Sequence, residues 1–230
     1  MKILFHGHSC IQLFSSSHSI LIDPYIDANP VAVVKANDIV TDYILLTHGH
    51  DDHITDAVPI AKQNDAPIIA VEELAEYMAS QGVKKTEAMH VGGDWTFDFG
   101  RVYLTPALHT SSVRTLDGQR LYAGVPVGYV IEMGGKIIYH AGDSGLFSDM
   151  KWIGQRFDID IAFLPIGGRF TMGPSDALLA AEWIQPRHVV PIHYGTFPLI
   201  QQDGVHFIEN LSRKGISGTA MQPGEMIEIN

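Results

Sequence analysis

Cysteine is nearly absent: Cys10 stands alone among 230 residues, which rules out an intrachain disulfide and fits a reducing compartment. Long apolar runs are absent too. No stretch approaches the roughly 20 residues that span a bilayer. The opening Met1-Lys2-Ile3-Leu4-Phe5-His6 reads as a strand, without the apolar core and small-residue cleavage site of a secretory signal. Basic charge is scarce: 15 Lys and Arg face 26 Asp and Glu, a net charge of −11, so a surface for phosphate polymers is not expected. Linkers rich in Ser or Pro, low-complexity tracts and repeats are also missing. These absences point to a soluble, cytoplasmic protein without nucleic-acid or membrane partners, folded as one domain over residues 1–230. Apolar residues make up 46% of the chain, enough for a sizeable core. Apolar segments such as 31–34 and 125–127 suit a homo-oligomer interface as readily as a core.

Short β-type runs dominate what is present. Residues 2–5, 10–14 and 19–22 read as a meander, 95–99 and 101–104 as a hairpin around Gly100, and 127–133 and 136–139 as a hairpin through Gly134-Gly135. Residues 226–229 read as a closing strand. Helices are expected over 55–63, over 72–80 with a stop at Gly82, over 175–185 with Ser175 as cap and Pro186 as stop, and over 203–214 before Gly215. Strands joined by hairpins, with helices between them, favour packed mixed sheets covered by helices over a simple doubly wound fold.

The densest chemistry lies in Thr47-His48-Gly49-His50-Asp51-Asp52-His53, directly after the apolar run 43–46. Three imidazoles and two carboxylates in seven residues are costly to bury without a partner, and both groups are ligands of divalent transition metals. His48 and His50, two apart on extended chain, project the same way and suit one ion; Asp52 and His53 would serve a second. Asp51, between them, is expected to orient a histidine. Three further apolar runs end in candidate ligands: 102–108 before His109, 137–139 before Asp143, and 189–192 before His193. Functional groups gather beyond the carboxyl ends of strands in open sheets, so these positions are expected to converge. His109 would complete the first set, His193 the second, and Asp143 would bridge ions about 3.5–4 Å apart. His140 reads equally as a satisfied buried histidine or a catalytic one, and His8, in His6-Gly7-His8-Ser9, as a residue that supports a metal ligand from behind or as a wall of the substrate pocket.

The HxHxDH run, with His109, Gly142-Asp143 and His193 after it, resembles the metallo-β-lactamase superfamily in the order and spacing of its ligands. The resemblance implies a four-layer αβ/βα sandwich, an α/β (α+β) fold of two mixed β-sheets flanked by helices. It assigns His48, His50 and His109 to one metal, Asp52, His53 and His193 to the other, and Asp143 to both. His6-Gly7-His8-Ser9-Cys10, Thr171-Met172-Gly173-Pro174 and His193-Tyr194-Gly195-Thr196-Phe197-Pro198 further resemble a family of bacterial and archaeal metal-dependent hydrolases. That family is similar to L-ascorbate-6-phosphate lactonase and, more remotely, to phospholipases acting on N-acyl phosphatidylethanolamine.

The expected chemistry is hydrolysis by a metal-bound hydroxide at a dinuclear site, with Asp143, Asp52 and His193 as catalytic groups. Zinc is the expected metal, with manganese and iron as alternatives. The expected substrate is a small ester, lactone or phosphorylated metabolite. The Gly167–Gly173 stretch is expected to present backbone N–H groups to an anionic substrate, with Arg169, Thr171 and Gly173 as binding residues; a solvated loop arginine is the other reading of Arg169. Competing functions are a phosphodiesterase or nuclease, an iron-dependent redox enzyme, and a non-catalytic module that uses metal only for structure.

Overall fold

The computed structural model describes residues 1–115 and 117–229. The first half of the chain supplies β1 (Lys2–Gly7), β2 (Cys10–Phe14), β3 (Ser19–Ile22), β4 (Tyr43–Leu45), β5 (Ile68–Val71) and β6 (Thr86–Met89). Then follow β7 (Asp94–Phe97), β8 (Gly100–Pro106), the short pair β9 (Ser112–Arg114) and β10 (Arg120–Tyr122), β11 (Val127–Met133), β12 (Lys136–His140), β13 (Ile161–Pro165), β14 (His188–Ile192), β15 (Ser217–Gly218) and β16 (Met226–Glu228). Among the described residues these form two seven-stranded sheets, β16-β1-β2-β3-β4-β5-β6 and β15-β14-β13-β12-β11-β8-β7, and the separate ribbon β9–β10.

Both sheets are built alike. Antiparallel hairpins lead into a parallel half: β1–β2–β3 into β4, β5 and β6, and β7–β8–β11–β12 into β13, β14 and β15. Parallel strands need crossovers, which helices provide everywhere except between β3 and β4, where a long loop with one 3-10 turn serves. On the first sheet the helices are the single turn α1 (Asp51–Ile54), α2 (Ala57–Asn64) and α3 (Glu72–Ser80); on the second, α4 (Met150–Arg156), α5 (Pro174–Ile184) and α6 (Gly204–Arg213).

Three apolar layers account for the architecture. Ile3, Phe5, Leu13 and Ile22 of the first sheet meet Leu104, Ile131, Phe163 and Val190 of the second. The other face of the first sheet packs Ile44, Ile68 and Ala70 under Ile60, Leu74 and Met78 of the helices. The other face of the second sheet packs Tyr139, Ala162 and Val189 under Ile153, Ala181 and Phe207. The result is the four-layer helix–sheet–sheet–helix sandwich. No helix among the described residues is long and apolar enough to cross a membrane.

A buried tyrosine hydroxyl ties the two sheets together. Tyr129 of β11 is fully buried, and its hydroxyl donates to the Leu46 carbonyl at 2.7 Å, just beyond β4. Tyr129→Phe keeps the ring but strands that carbonyl, so it should cost about 1–2 kcal/mol in chemical denaturation. An unchanged midpoint would mean that the tie contributes nothing.

Local sequence accounts for the start of one helix, and the structure corrects the start of another. Asp203 caps α6 by accepting from the His206 N–H at 2.9 Å. Helix α5 starts at Pro174, with Gly173 as its cap, so Ser175 lies inside the first turn and makes no capping bond. A proline at the first helical position has its fixed φ in place and no N–H to leave unpaired. Helix α4, which the sequence did not suggest, contains Gly154. A Cβ there would lie 2.4 Å from the Ile184 carbonyl, so the glycine lets α4 and α5 touch backbone to backbone.

Candidate metal centre

Strand ends converge at one edge of the sandwich. His8 follows β1, Asp23 follows β3, and Thr47, His48 and His50 follow β4. Helix α1 turns the chain immediately after His50, which brings Asp52 and His53 back towards His48. His109 follows β8, Asp143 follows β12, and His193 follows β14. Three of these residues, His8 (φ 58°), Asp23 (φ 48°) and His193 (φ 53°), hold left-handed backbone that non-glycine residues rarely adopt. Such strain persists where the surrounding structure enforces it, and here it re-aims three polar side chains at strand ends.

Two groups of side chains result. The ring nitrogens of His48, His50 and His109 lie within 4.8 Å of one another, and so do ligand atoms of His8, Asp52, His53 and His193. Asp143 stands between the groups. Its Oδ2 is 2.9 Å from His193 Nε2, 3.6 Å from His109 Nε2 and 4.0 Å from His48 Nε2, and its Oδ1 is 3.4 Å from His53 Nε2. All seven ligand candidates of the sequence are therefore brought together.

The donor set fits metal ions. His53 Nε2 and Asp143 Oδ1 are buried without a hydrogen-bond partner. Buried polar atoms are nearly always paired, so orphaned atoms inside a nest of imidazoles and carboxylates are free to serve a cation. The tautomers agree. His53 Nδ1–H donates to Asp23 Oδ2 at 2.8 Å, so the proton that His53 gives up to a cation is the one on Nε2. Thr47 Oγ1–H donates to the same Asp23 oxygen at 2.6 Å and accepts from His48 Nδ1–H at 3.0 Å. The Thr47 backbone N–H donates to Asp23 Oδ1 at 2.8 Å. Asp23, fully buried, thus orients one imidazole from each group.

Asp23 was not among the sequence candidates, although β3 is an apolar run that ends in it. The orienting role expected of Asp51 is corrected. Asp51 is exposed at the start of α1, 3.3 Å from Arg114 Nε, and touches no histidine.

Electrostatics divide the two groups. Burial, and then neighbouring imidazoles, holds His48, His50 and His109 below the ordinary histidine pKa. They are neutral and ready to bind. Burial also works against charge on His53 and His193, but Asp143 overrides it, with Asp23 helping at His53 and Asp52 at His193. His53 is raised well above 6.5 and His193 to about 9. Burial likewise opposes the charged forms of Asp52 and Asp143, yet the facing histidines hold both carboxyls far below their usual range.

A raised histidine pKa stabilises the metal-free fold fully below pH 6.5, and for His193 that contribution is lost as pH rises through about 9. A cation entering near neutrality must displace the protons on His53 and His193. Calorimetric titration with metal at pH 7.5, in buffers of different ionisation enthalpy, should report release of roughly two protons per chain. A buffer-independent heat would contradict this charge assignment.

His50, Asp51, Asp52, His109, Thr110, Arg120, Asp143, Phe170 and His193 line a cavity of about 310 Å³. The predicted substrate-binding residues stand elsewhere. Three of the N–H groups expected to face a substrate are engaged by backbone instead: Gly168 N–H donates to Met172 O, Arg169 N–H to Gly167 O, and Met172 N–H to Ser144 O. Arg169 is exposed, its guanidinium 5.8 Å from the Phe170 ring, and the cavity-lining cation is Arg120. Thr171 is buried with its hydroxyl on the Met172 carbonyl, and Gly173 caps α5. His8 is buried behind Asp52, donating to its Oδ2 at 3.1 Å and accepting from Thr196 Oγ1 at 2.9 Å. His140 donates to the Ser9 carbonyl and accepts from the Gly142 N–H, a satisfied buried histidine that holds the turn before Asp143.

Comparison with known proteins agrees with this geometry. The family described as "Beta-lactamase superfamily domain" matches residues 18–194. A protein of Geobacillus thermodenitrificans named "UPF0173 metal-dependent hydrolase" is 53% identical over 229 residues, covering all of both chains. The structure of Igni18, described as a novel metallo hydrolase from Ignicoccus hospitalis, is 35% identical, with a TM-score of 0.89 over 100% of this chain and 99% of that one. An isothiocyanate hydrolase from Delia radicum gut bacteria shares the fold at 22% identity, with a TM-score of 0.79 over 100% of this chain and 99% of that one. With its matching sandwich and clustered ligand atoms, the chain belongs to the β-lactamase superfamily and is a metal-dependent hydrolase.

Proposed function

We propose that this hydrolase works through two divalent cations on a small ester, lactone or phosphorylated metabolite. The observation that carries the reading is Asp143, whose two carboxylate oxygens face imidazoles from both groups. His48, His50 and His109 would hold one ion, Asp52, His53 and His193 the other, and Asp143 both. Zinc suits the mixed imidazole and carboxylate set, as do manganese and iron. Bound there, such ions lower the pKa of water from about 15.7 to about 7 and polarise the oxygen of the group under attack.

The chain's own residues do the rest. Asp23 fixes the rings of His53 and, through Thr47, His48. His8 holds Asp52 from behind, and His140 braces the Gly142 turn that delivers Asp143. Asp143, Asp52 and His193 border the cavity, and with His193 engaged by the cation the two carboxylates are the groups able to hold or pass a proton beside a bound substrate. The cavity's size favours a small molecule over a polymer.

The test combines metal analysis with turnover. Protein purified without added metal should contain two transition-metal ions per chain. It should hydrolyse at least one member of an ester, lactone and phosphodiester panel, lose that activity to a chelator and regain it with zinc or manganese. Activity that survives complete metal removal would overturn the proposal.

A further inference from the structure

The ribbon β9–β10 belongs to neither large sheet, yet it is locked to the metal-binding run. A Cβ on Gly49 would lie 2.9 Å from both Val113 Cγ1 and Ala123 Cβ, so the glycine lets the ribbon seat directly between His48 and His50. Ser111 Oγ accepts from the Gly49 N–H at 3.2 Å and donates to the Ala123 carbonyl at 3.0 Å, fastening the ribbon's base. Arg120 of β10 is the one Arg or Lys among the residues that line the cavity. Its recorded partner among the described residues is neutral: Nη1 donates to Ser112 Oγ at 3.1 Å.

The carboxylates of the cavity are already engaged. Asp51 faces Arg114, Asp52 faces His8 and His193, and Asp143 faces the histidines. A guanidinium is a planar fork of donors that matches an oxyanion in two parallel hydrogen bonds. A guanidinium with one neutral hydroxyl partner, exposed on a cavity whose carboxylates are engaged elsewhere and carried by a ribbon fastened beside the cation ligands, is matched by an anionic part of the ligand. Phe170, half exposed on the cavity wall, offers apolar surface for the body of the same molecule.

We infer that Arg120 anchors substrates by a carboxylate or phosphate substituent remote from the bond that is cleaved. The inference rests on the proposed hydrolase reading and narrows its substrates to small anionic molecules.

Calorimetry on the metal-loaded protein tests it with ligands that need no turnover. Succinate and 3-phosphonopropionate each carry a second oxyanion that butyrate lacks. The wild type should bind one or both at least about tenfold more tightly than butyrate, as expected for a charge-assisted pair. Whichever is preferred identifies the substituent. Arg120→Met should abolish the preference and Arg120→Lys should restore part of it. Arg101→Met, which removes a charge from the far end of β8, should leave it unchanged. A preference that is absent in the wild type, or intact in Arg120→Met, overturns the inference. A matched ester pair, 4-nitrophenyl butyrate and mono-4-nitrophenyl succinate, separates this from the parent reading. No turnover of any panel substrate, with the ligand preference intact, sinks the ester, lactone and phosphate-ester proposal alone. Turnover without the preference sinks the anchor alone.

Discussion

Asp143→Asn should lower hydrolysis of any accepted substrate by about a thousandfold and leave fewer than two metal ions per chain. The substitution is nearly isosteric, so its effect is chemical. It replaces a charged oxygen with an amide nitrogen that cannot bind a cation. The residue is 3% exposed and sits against four imidazoles, so no neighbouring carboxylate can take its place without moving the strand ends. The loss also changes the protonation of the metal-free protein. His53 and His193 owe their raised pKa values first to Asp143, so the variant should release fewer protons on metal binding than the wild type. Full activity with two bound metals would remove Asp143 from the bridging position.

The second large effect is expected at a residue that touches no substrate. Asp23→Ala should weaken metal binding about 10–100-fold and lower stability by about 3 kcal/mol. The carboxylate accepts from His53 Nδ1–H, Thr47 Oγ1–H and the Thr47 backbone N–H, all buried. Removing it strands three donors and frees two imidazoles to rotate. Competition with a chromophoric chelator gives the first quantity and chemical denaturation the second. Thr47→Val separates the two arms. It cuts the link to His48 but spares the bond to His53, so its metal-affinity loss should be smaller. Unaltered affinity in a destabilised Asp23→Ala protein would reduce Asp23 to a structural role.

Asp23 also shows how far the sequence could be read. His48, His50, Asp52 and His53 stand out because so many desolvating polar groups follow an apolar strand without interruption. His109, Asp143 and His193 follow from one rule, that each ends an apolar run. Asp23 obeys the same rule after β3, but one aspartate before Pro24 reads as an ordinary turn residue. Arg120 carried no such mark. β10 is exposed along its whole length and lacks the inside–outside alternation that betrays a strand, whereas Arg169 sat beside conspicuous glycines. Packed sheets with helices outside them were legible from the mixture of hairpins and helices, whereas the four-layer order came from the resemblance to the metallo-β-lactamase superfamily. Helix α4 was not, because Gly154 lowers local helix propensity and its benefit, close approach to α5, exists only in the folded chain. Sequence pattern therefore exposed groups whose burial demands an explanation, and missed those whose meaning comes from a partner brought from elsewhere in the chain.

The most direct test of the account is anomalous diffraction from crystals of metal-loaded protein, with data on both sides of the metal absorption edge. Two peaks are predicted, one among His48, His50 and His109 and one among Asp52, His53 and His193, with Asp143 within bonding distance of each. A single peak, or two peaks that Asp143 does not join, would contradict it.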